Sequence, residues 1–182
     1  MAIAQAATLA FLFLPTSALS AQASVTLAAS HDVKAAFIYN FTKFVTWPSS
    51  AFANDSEPLR ICIIDDGTVS NALLSIAKID SKERKIEVTK YRDISDVGKC
   101  HLIFIEHSTD ISLTKKILKA TQNKQILTIG DSESFIELGG TIKLFRSYNN
   151  LNFEINAATA TQSGLVISSK VLSLSKKEVK LP

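Results

Sequence analysis

The sequence predicts an α/β domain built on a mainly parallel sheet with helices on both faces, three layers in all, and an antiparallel hairpin near the C-terminus. Two observations carry the parallel part. The short, nearly continuous apolar run at 59–64 suits a strand buried on both faces, and strands there, at 85–91, at 101–106 and at 125–129 alternate with helical or short segments. The third observation carries the hairpin: strand-like segments at 141–145 and 151–155 are joined only by Arg146-Ser147-Tyr148-Asn149-Asn150.

The first predicted element is a helix from Ser30, which Ser30 or Asp32 can cap. Val33, Phe37, Phe41, Phe44 and Val45 recur along one face and are assigned to the core, whereas Lys34, Ile38 and Lys43 lie off that stripe. Trp47-Pro48 ends it, because the residue before proline is pushed out of the α region. A polar loop, 49–58, leads to the first buried strand. Asp65-Asp66-Gly67 then reads as a turn and 69–78 as a helix that Thr68 can cap. A strand at 85–91 and a short segment at 93–97 precede the strand 101–106. Asp110 can cap the helix 111–122. After the strand 125–129, a short helix is expected at 132–138 before the break at Gly139-Gly140. Past the hairpin, Asn156 caps a helix that Gly164 terminates, an amphipathic segment of undecided type covers 165–174, and the tail 175–182 reads as frayed.

The N-terminus predicts export. Residues 2–23 carry no charge, include the apolar run 9–14 and end in Ala21-Gln22-Ala23, a small-x-small site for signal peptidase. The expected leader is therefore 1–23, leaving 24–182 as a single periplasmic domain beginning at Ser24. Pro15 interrupts a run far shorter than the roughly 20 residues that cross a bilayer. A basic segment before that run is lacking, since the first cation is Lys34.

Composition narrows the function. The formal charge of +3 is spread among interleaved acids and bases, without the clustered basic face that nucleic acid requires. Two cysteines, Cys62 and Cys100, sit in apolar surroundings. In an exported chain an even pair reads as a disulfide, and a doubly wound sheet can place their strands side by side; two buried thiols are the alternative. With no CxxC motif and only three histidines, no metal site and no cofactor are expected.

Chemistry is sparse. His107-Ser108-Thr109-Asp110 follows a strand at the end of the sheet where α/β proteins place active sites, but Asp110 is accounted for as a cap and Ser108 lacks a glycine-flanked elbow. Asp65-Asp66 offers too few oxygen donors for a cation. Gly139-Gly140 precedes a strand and is no dinucleotide fingerprint. No catalytic residue is assigned, and the balance moves from enzyme to binding or regulation.

Three stretches together resemble the YfiR family. Residues 33–48, VKAAFIYNFTKFVTWP, are similar to its opening helix; Cys100-His101-Leu102-Ile103-Phe104-Ile105, with Cys62 upstream, resembles its "CH-hydrophobic" strand. Phe135, Gly139-Gly140, Phe153-Glu154-Ile155-Asn156 and Ile167-Ser168-Ser169-Lys170-Val171-Leu172 resemble its closing pattern. The resemblance implies a periplasmic repressor that binds the periplasmic region of an inner-membrane diguanylate cyclase and so lowers cyclic di-GMP; a homodimer is compatible with the sequence, which does not choose the oligomeric state. Family members can carry a second cysteine pair, which this chain lacks. The partner contacts expected from exposure and hot-spot preference are Ile38, Lys43, Trp47, Arg146 and Tyr148. A periplasmic small-molecule receptor serving a transporter or kinase is the alternative, its ligand lying near Asp65 and His107.

Overall fold

The structure, a computed structural model, describes residues 19–64, 68–79, 84–91, 97–148, 150–176 and 178–179. Residues 1–18 of the expected leader, the Asp65-Asp66-Gly67 turn and most of the segment 93–97 lie outside the described residues. Helix α1 (Leu19–Phe44) leads into the two-residue strand β1 (Val45–Thr46) and a single 3-10 turn, Ser49–Ala51. The βα region follows as β2 (Leu59–Ile64), α2 (Thr68–Ile79), β3 (Ile86–Lys90), a second 3-10 turn (Val97–Lys99), β4 (Leu102–Ile105), α3 (Ile111–Thr121) and β5 (Leu127–Gly130). The hairpin β6 (Ile142–Ser147) and β7 (Asn150–Asn156) comes next. Then come α4 (Ala157–Gln162), β8 (Val166–Ile167), α5 (Ser169–Leu172) and β9 (Glu178–Val179).

Seven strands form one sheet in the order β3-β2-β4-β5-β6-β7-β9. The pairs from β3 to β6 are parallel, β6 and β7 are antiparallel, and β9 joins β7 in parallel. Alternation along the central strands explains the three layers. Ile61, Ile63, Leu102 and Phe104 face the core shared with α1 and α2, while Cys62, Ile64, Ile103 and Ile105 face Ile117 and Leu118 of α3. The α/β class and the late hairpin are thus as the sequence predicts.

Several elements differ in detail. Helix α1 starts ahead of Ser30, since neither glycine nor proline occurs in 19–29 to stop it. Its buried face is rotated from the expected stripe: Ala35 and Ile38 are fully buried, Val33 is 44% exposed, and Phe37 and Phe44 are half-buried. The rotation arises because α1 is flanked by α2 and also by β7, where Phe37 and Phe41 meet Phe153 edge-on at 6.2 and 5.3 Å. Residues 132–138 form overlapping turns instead of a helix. The turns wind Phe135 inward so that its ring fills the space above Gly130 and Gly140, where a Cβ on either glycine would lie 2.3 or 2.2 Å from ring carbons. The hairpin is tighter than expected: pairing continues to Ser147↔Asn150, and Tyr148 turns the chain at φ 54°. The tail is not wholly frayed, because Glu178–Val179 pair with Ile155–Asn156.

Cys62 and Cys100 are joined, their Cα atoms 5.9 Å apart, because the chain enters β4 directly beside β2. Closing a loop with a sequence separation of 38 is worth about 3 to 4 kcal/mol in the chain-entropy model. Urea unfolding of the oxidised protein and of the Cys62→Ser/Cys100→Ser double variant will differ by that amount. Coincident midpoints would remove the bridge from the stability of the domain.

Candidate functional site

Two polar constellations occupy opposite ends of the parallel strands. At the amino-terminal end, His101 is 4% exposed and fully engaged. Its Nδ1 accepts the Arg60 backbone N–H at 2.9 Å, so Nε2 carries the proton and donates to the Ala51 carbonyl at 3.0 Å. Phe52 stacks on the imidazole at 4.5 Å, and the Arg84 guanidinium lies over Phe52 at 3.9 Å. The indole Nε1–H of Trp47 donates to the His101 carbonyl at 3.1 Å. Beside it, Val45 and Thr46 pair antiparallel with Ile167 and Val166, and the Ser168 N–H donates to the Phe44 carbonyl. The opening helix, the Cys-His strand and the 167–172 segment, far apart in sequence, therefore meet here.

Burial, reinforced by the Arg60 and Arg84 charges, holds His101 below the ordinary histidine range against the opposing pull of the Ala51 carbonyl and Glu57. Glu57 is itself held low, first by the Ala53 N–H and then by Arg60, and its carboxylate ties Arg60 to the loop before β2.

At the carboxyl-terminal end, Asp131 follows β5 and gathers three groups. Its Oδ2 accepts from Lys34 Nζ at 2.5 Å and lies 3.4 Å from His107 Nδ1, while its Oδ1 accepts the His107 backbone N–H at 2.6 Å. Lys34 and Asp131 are both buried, with side chains 11% and 7% exposed. The off-stripe position expected for Lys34 is thus corrected: it faces inward because a carboxylate waits there. Ser108 Oγ donates to buried Glu106 at 3.1 Å, and Asp110 caps α3 by accepting from the Ser112 and Leu113 N–H groups. The edge where a ligand was expected thus holds Glu106 and Asp131 already bonded within the protein, and Asp65 lies outside the described residues.

The five expected partner contacts divide sharply. Ile38 is fully buried and Trp47 is 9% exposed, so their expected exposure is corrected: the rotated face of α1 carries Ile38 into the core, and the indole is drawn in by the His101 carbonyl. Lys43 is exposed with its ammonium 4.7 Å from the centre of the Tyr39 ring. Arg146 is exposed and donates to Ser30 Oγ, and Tyr148 is 98% exposed at the hairpin tip. Sequence reasoning missed the Lys34–Asp131 pair and the role of His101. The adjacency of Lys34 to the core stripe and the cysteine next to His101 were the only signals for them.

Asp131→Ala will leave the Lys34 ammonium buried without a counter-charge and cost about 3 to 5 kcal/mol, whereas the Lys34→Met/Asp131→Leu double variant will recover most of that loss in chemical denaturation. Equal losses in both variants would contradict the pairing. Because the folded His101 resists protonation, the unfolded chain takes up a proton near the ordinary histidine value of about 6.5 that the native state refuses. Stability will therefore fall as pH drops below about 6.5, with a slope of at most roughly 1.4 kcal/mol per pH unit. His101→Asn, which keeps an acceptor for Arg60, will flatten that slope, and an unchanged slope would assign it to other groups.

No curated protein matches the chain significantly in sequence. Among solved structures it is similar to a conserved domain protein from Vibrio cholerae O1 biovar eltor, at 15% identity and TM-score 0.49, covering 66% of this chain and 54% of that one. It is also similar to an ABC domain from Streptococcus pneumoniae solved in complex with L-Trp, at 11% identity and TM-score 0.50, covering 67% and 55%. The chain thus spans little more than half the length of either, and the second likeness shows an α/β fold alone. Among the described residues no helix is long and apolar enough to cross a membrane. The family model described as YfiR/HmsC-like (DUF4154) matches residues 31–176, which hold all three resembling stretches and both polar constellations, and the chain belongs to that family.

Proposed function

We propose that this protein is a periplasmic regulator that holds down an inner-membrane diguanylate cyclase by binding the cyclase's periplasmic region. The family match over residues 31–176 carries the reading and supports it at family level. The geometry is in keeping with it. The residues that carry the resemblance are largely committed to the framework, through the disulfide, the Trp47–His101 contact, the Lys34–Asp131 pair and Phe135 between its glycines. Such a protein works through its surface.

The expected export, with cleavage after Ala23 and a mature single domain from Ser24, places that surface outside the cytoplasm. There it acts on cyclic di-GMP only by biasing the conformational equilibrium of a membrane protein. To switch a cyclase decisively it binds the inactive state more tightly than the active one by several kcal/mol. The contacts we assign are Lys43, Arg146 and Tyr148. Ile38 and Trp47 contribute from within, by fixing the helix that presents Lys43. Tyr148 is the strongest candidate anchor, an aromatic side chain fully presented by a turn in which its own backbone is held at positive φ.

Deleting the gene in a host that makes a cyclase with a periplasmic region will raise cyclic di-GMP, and complementation with the natural chain will lower it again. Tyr148→Ala and Lys43→Glu will keep the thermal midpoint, as exposed substitutions do within about 0.5 kcal/mol, yet restore repression poorly. Nucleotide levels that do not respond to the deletion would remove the repressor reading.

A further inference from the structure

A cavity of about 370 Å³ opens at the amino-terminal end of the parallel strands, opposite the edge where the sequence placed a ligand. Its walls come from the entries to β2, β4 and β5 and from the 3-10 turn after Pro48. Among the described residues, the charged side chains lining it are Arg60, Lys99 and Lys124, all cations. Asn123, Gln125 and Ser50 add neutral hydrogen-bonding groups, and Gln125 Nε2 donates to Ser50 Oγ at 2.7 Å, closing one side.

We propose that this cavity is a binding site for a small organic or inorganic dianion, a dicarboxylate or a phosphate. The geometry of Arg60 is the main ground. Its Nε donates to the Lys99 carbonyl at 2.7 Å and its Nη2 to Glu57, which fixes the guanidinium plane and leaves Nη1 without a partner among the described residues. A guanidinium held by its own protein on two nitrogens is pre-organised to offer the third to an oxyanion. Lys124 enters from the loop before β5, where Asn123 reverses the chain at φ 55°, and forms no ion pair with the described residues. The volume lies in the range of small-molecule sites.

The site adjoins the framework junction, since Cys100 and His101 also line it. A dianion bridging Arg60 and Lys124 would tie the start of β2 to the start of β5 across the disulfide. The titration needs no cyclase, and neither lysine varied in it is among the contacts assigned to the cyclase, so the two proposals fail separately.

The test is calorimetric titration of the oxidised chain with succinate and with inorganic phosphate, using acetate and glycerol as controls. At least one dianion will bind with one-to-one stoichiometry, and acetate will bind at least about tenfold more weakly. Lys124→Ser and Lys99→Ser will each weaken binding roughly tenfold, the effect of one charge-assisted hydrogen bond, and Lys124→Ser will leave the thermal midpoint in place. Succinate alone binding assigns the ligand to the carboxylates, and phosphate alone to the phosphates. Amide NMR shifts will centre on Gly98, Lys99 and Lys124. Absence of binding by both dianions at about 10 mM, affinity indifferent to both lysine variants, or shifts centred on His107 and Asp131 would each overturn the proposal.

Discussion

A single hydrogen bond, from the Trp47 indole to the His101 carbonyl, sits where three remote parts of the chain converge. The same carbonyl also accepts the Leu127 N–H, so it joins β5 to β4 while anchoring the end of α1. His101 contributes from its other side through the Arg60 and Ala51 contacts, and its neighbour Cys100 is covalently tied to β2. Remove the imidazole's neutral state and the Arg60 N–H loses its acceptor; remove the indole and the end of α1 keeps only its pairing with the 166–168 segment. The central strands, the first helix and the loop before β2 are therefore positioned by one compact arrangement of two rings, one bridge and four backbone groups.

The opposite end of the sheet is held by a different principle. There the fixed element is a buried charge pair, Lys34 with Asp131, which ties the upper part of α1 to the exit of β5. Such a pair contributes little net stability over a hydrophobic replacement, but it penalises any arrangement in which one charge lacks the other. With an aromatic anchor at the bottom and an ionic one at the top, α1 is fixed in both translation and rotation. That rotation is what buries Ile38 and leaves Lys43 outside.

Much of this was legible in the residues. The buried strands announced themselves through continuous apolar runs, the hairpin through its short connection, and the caps at Asp110 and Asn156 through side chains that indeed accept the first N–H groups of their helices. The rotation of α1 was not legible, because a single helical stripe was assumed where the helix touches two neighbours, α2 and β7. The 132–138 segment misled for a related reason. Its local composition allows a helix, but the space between Gly130 and Gly140 admits the Phe135 ring only if the backbone tightens into turns. The Lys34–Asp131 pair was hidden because a lysine in an amphipathic helix ordinarily marks the solvent side, and only the tertiary position of Asp131 reverses that rule.

The pairing of Val45–Thr46 with Val166–Ile167 has a kinetic consequence. The first helix finds its lower neighbour in a segment far downstream, and its flank in Phe153 of β7. A chain so wired cannot complete its core while residues 153–167 are still on the ribosome, and contacts of such long range also slow closure afterwards. Sequence order itself thus delays collapse, so the first helix waits with its apolar face uncovered until residues 153–167 have joined it.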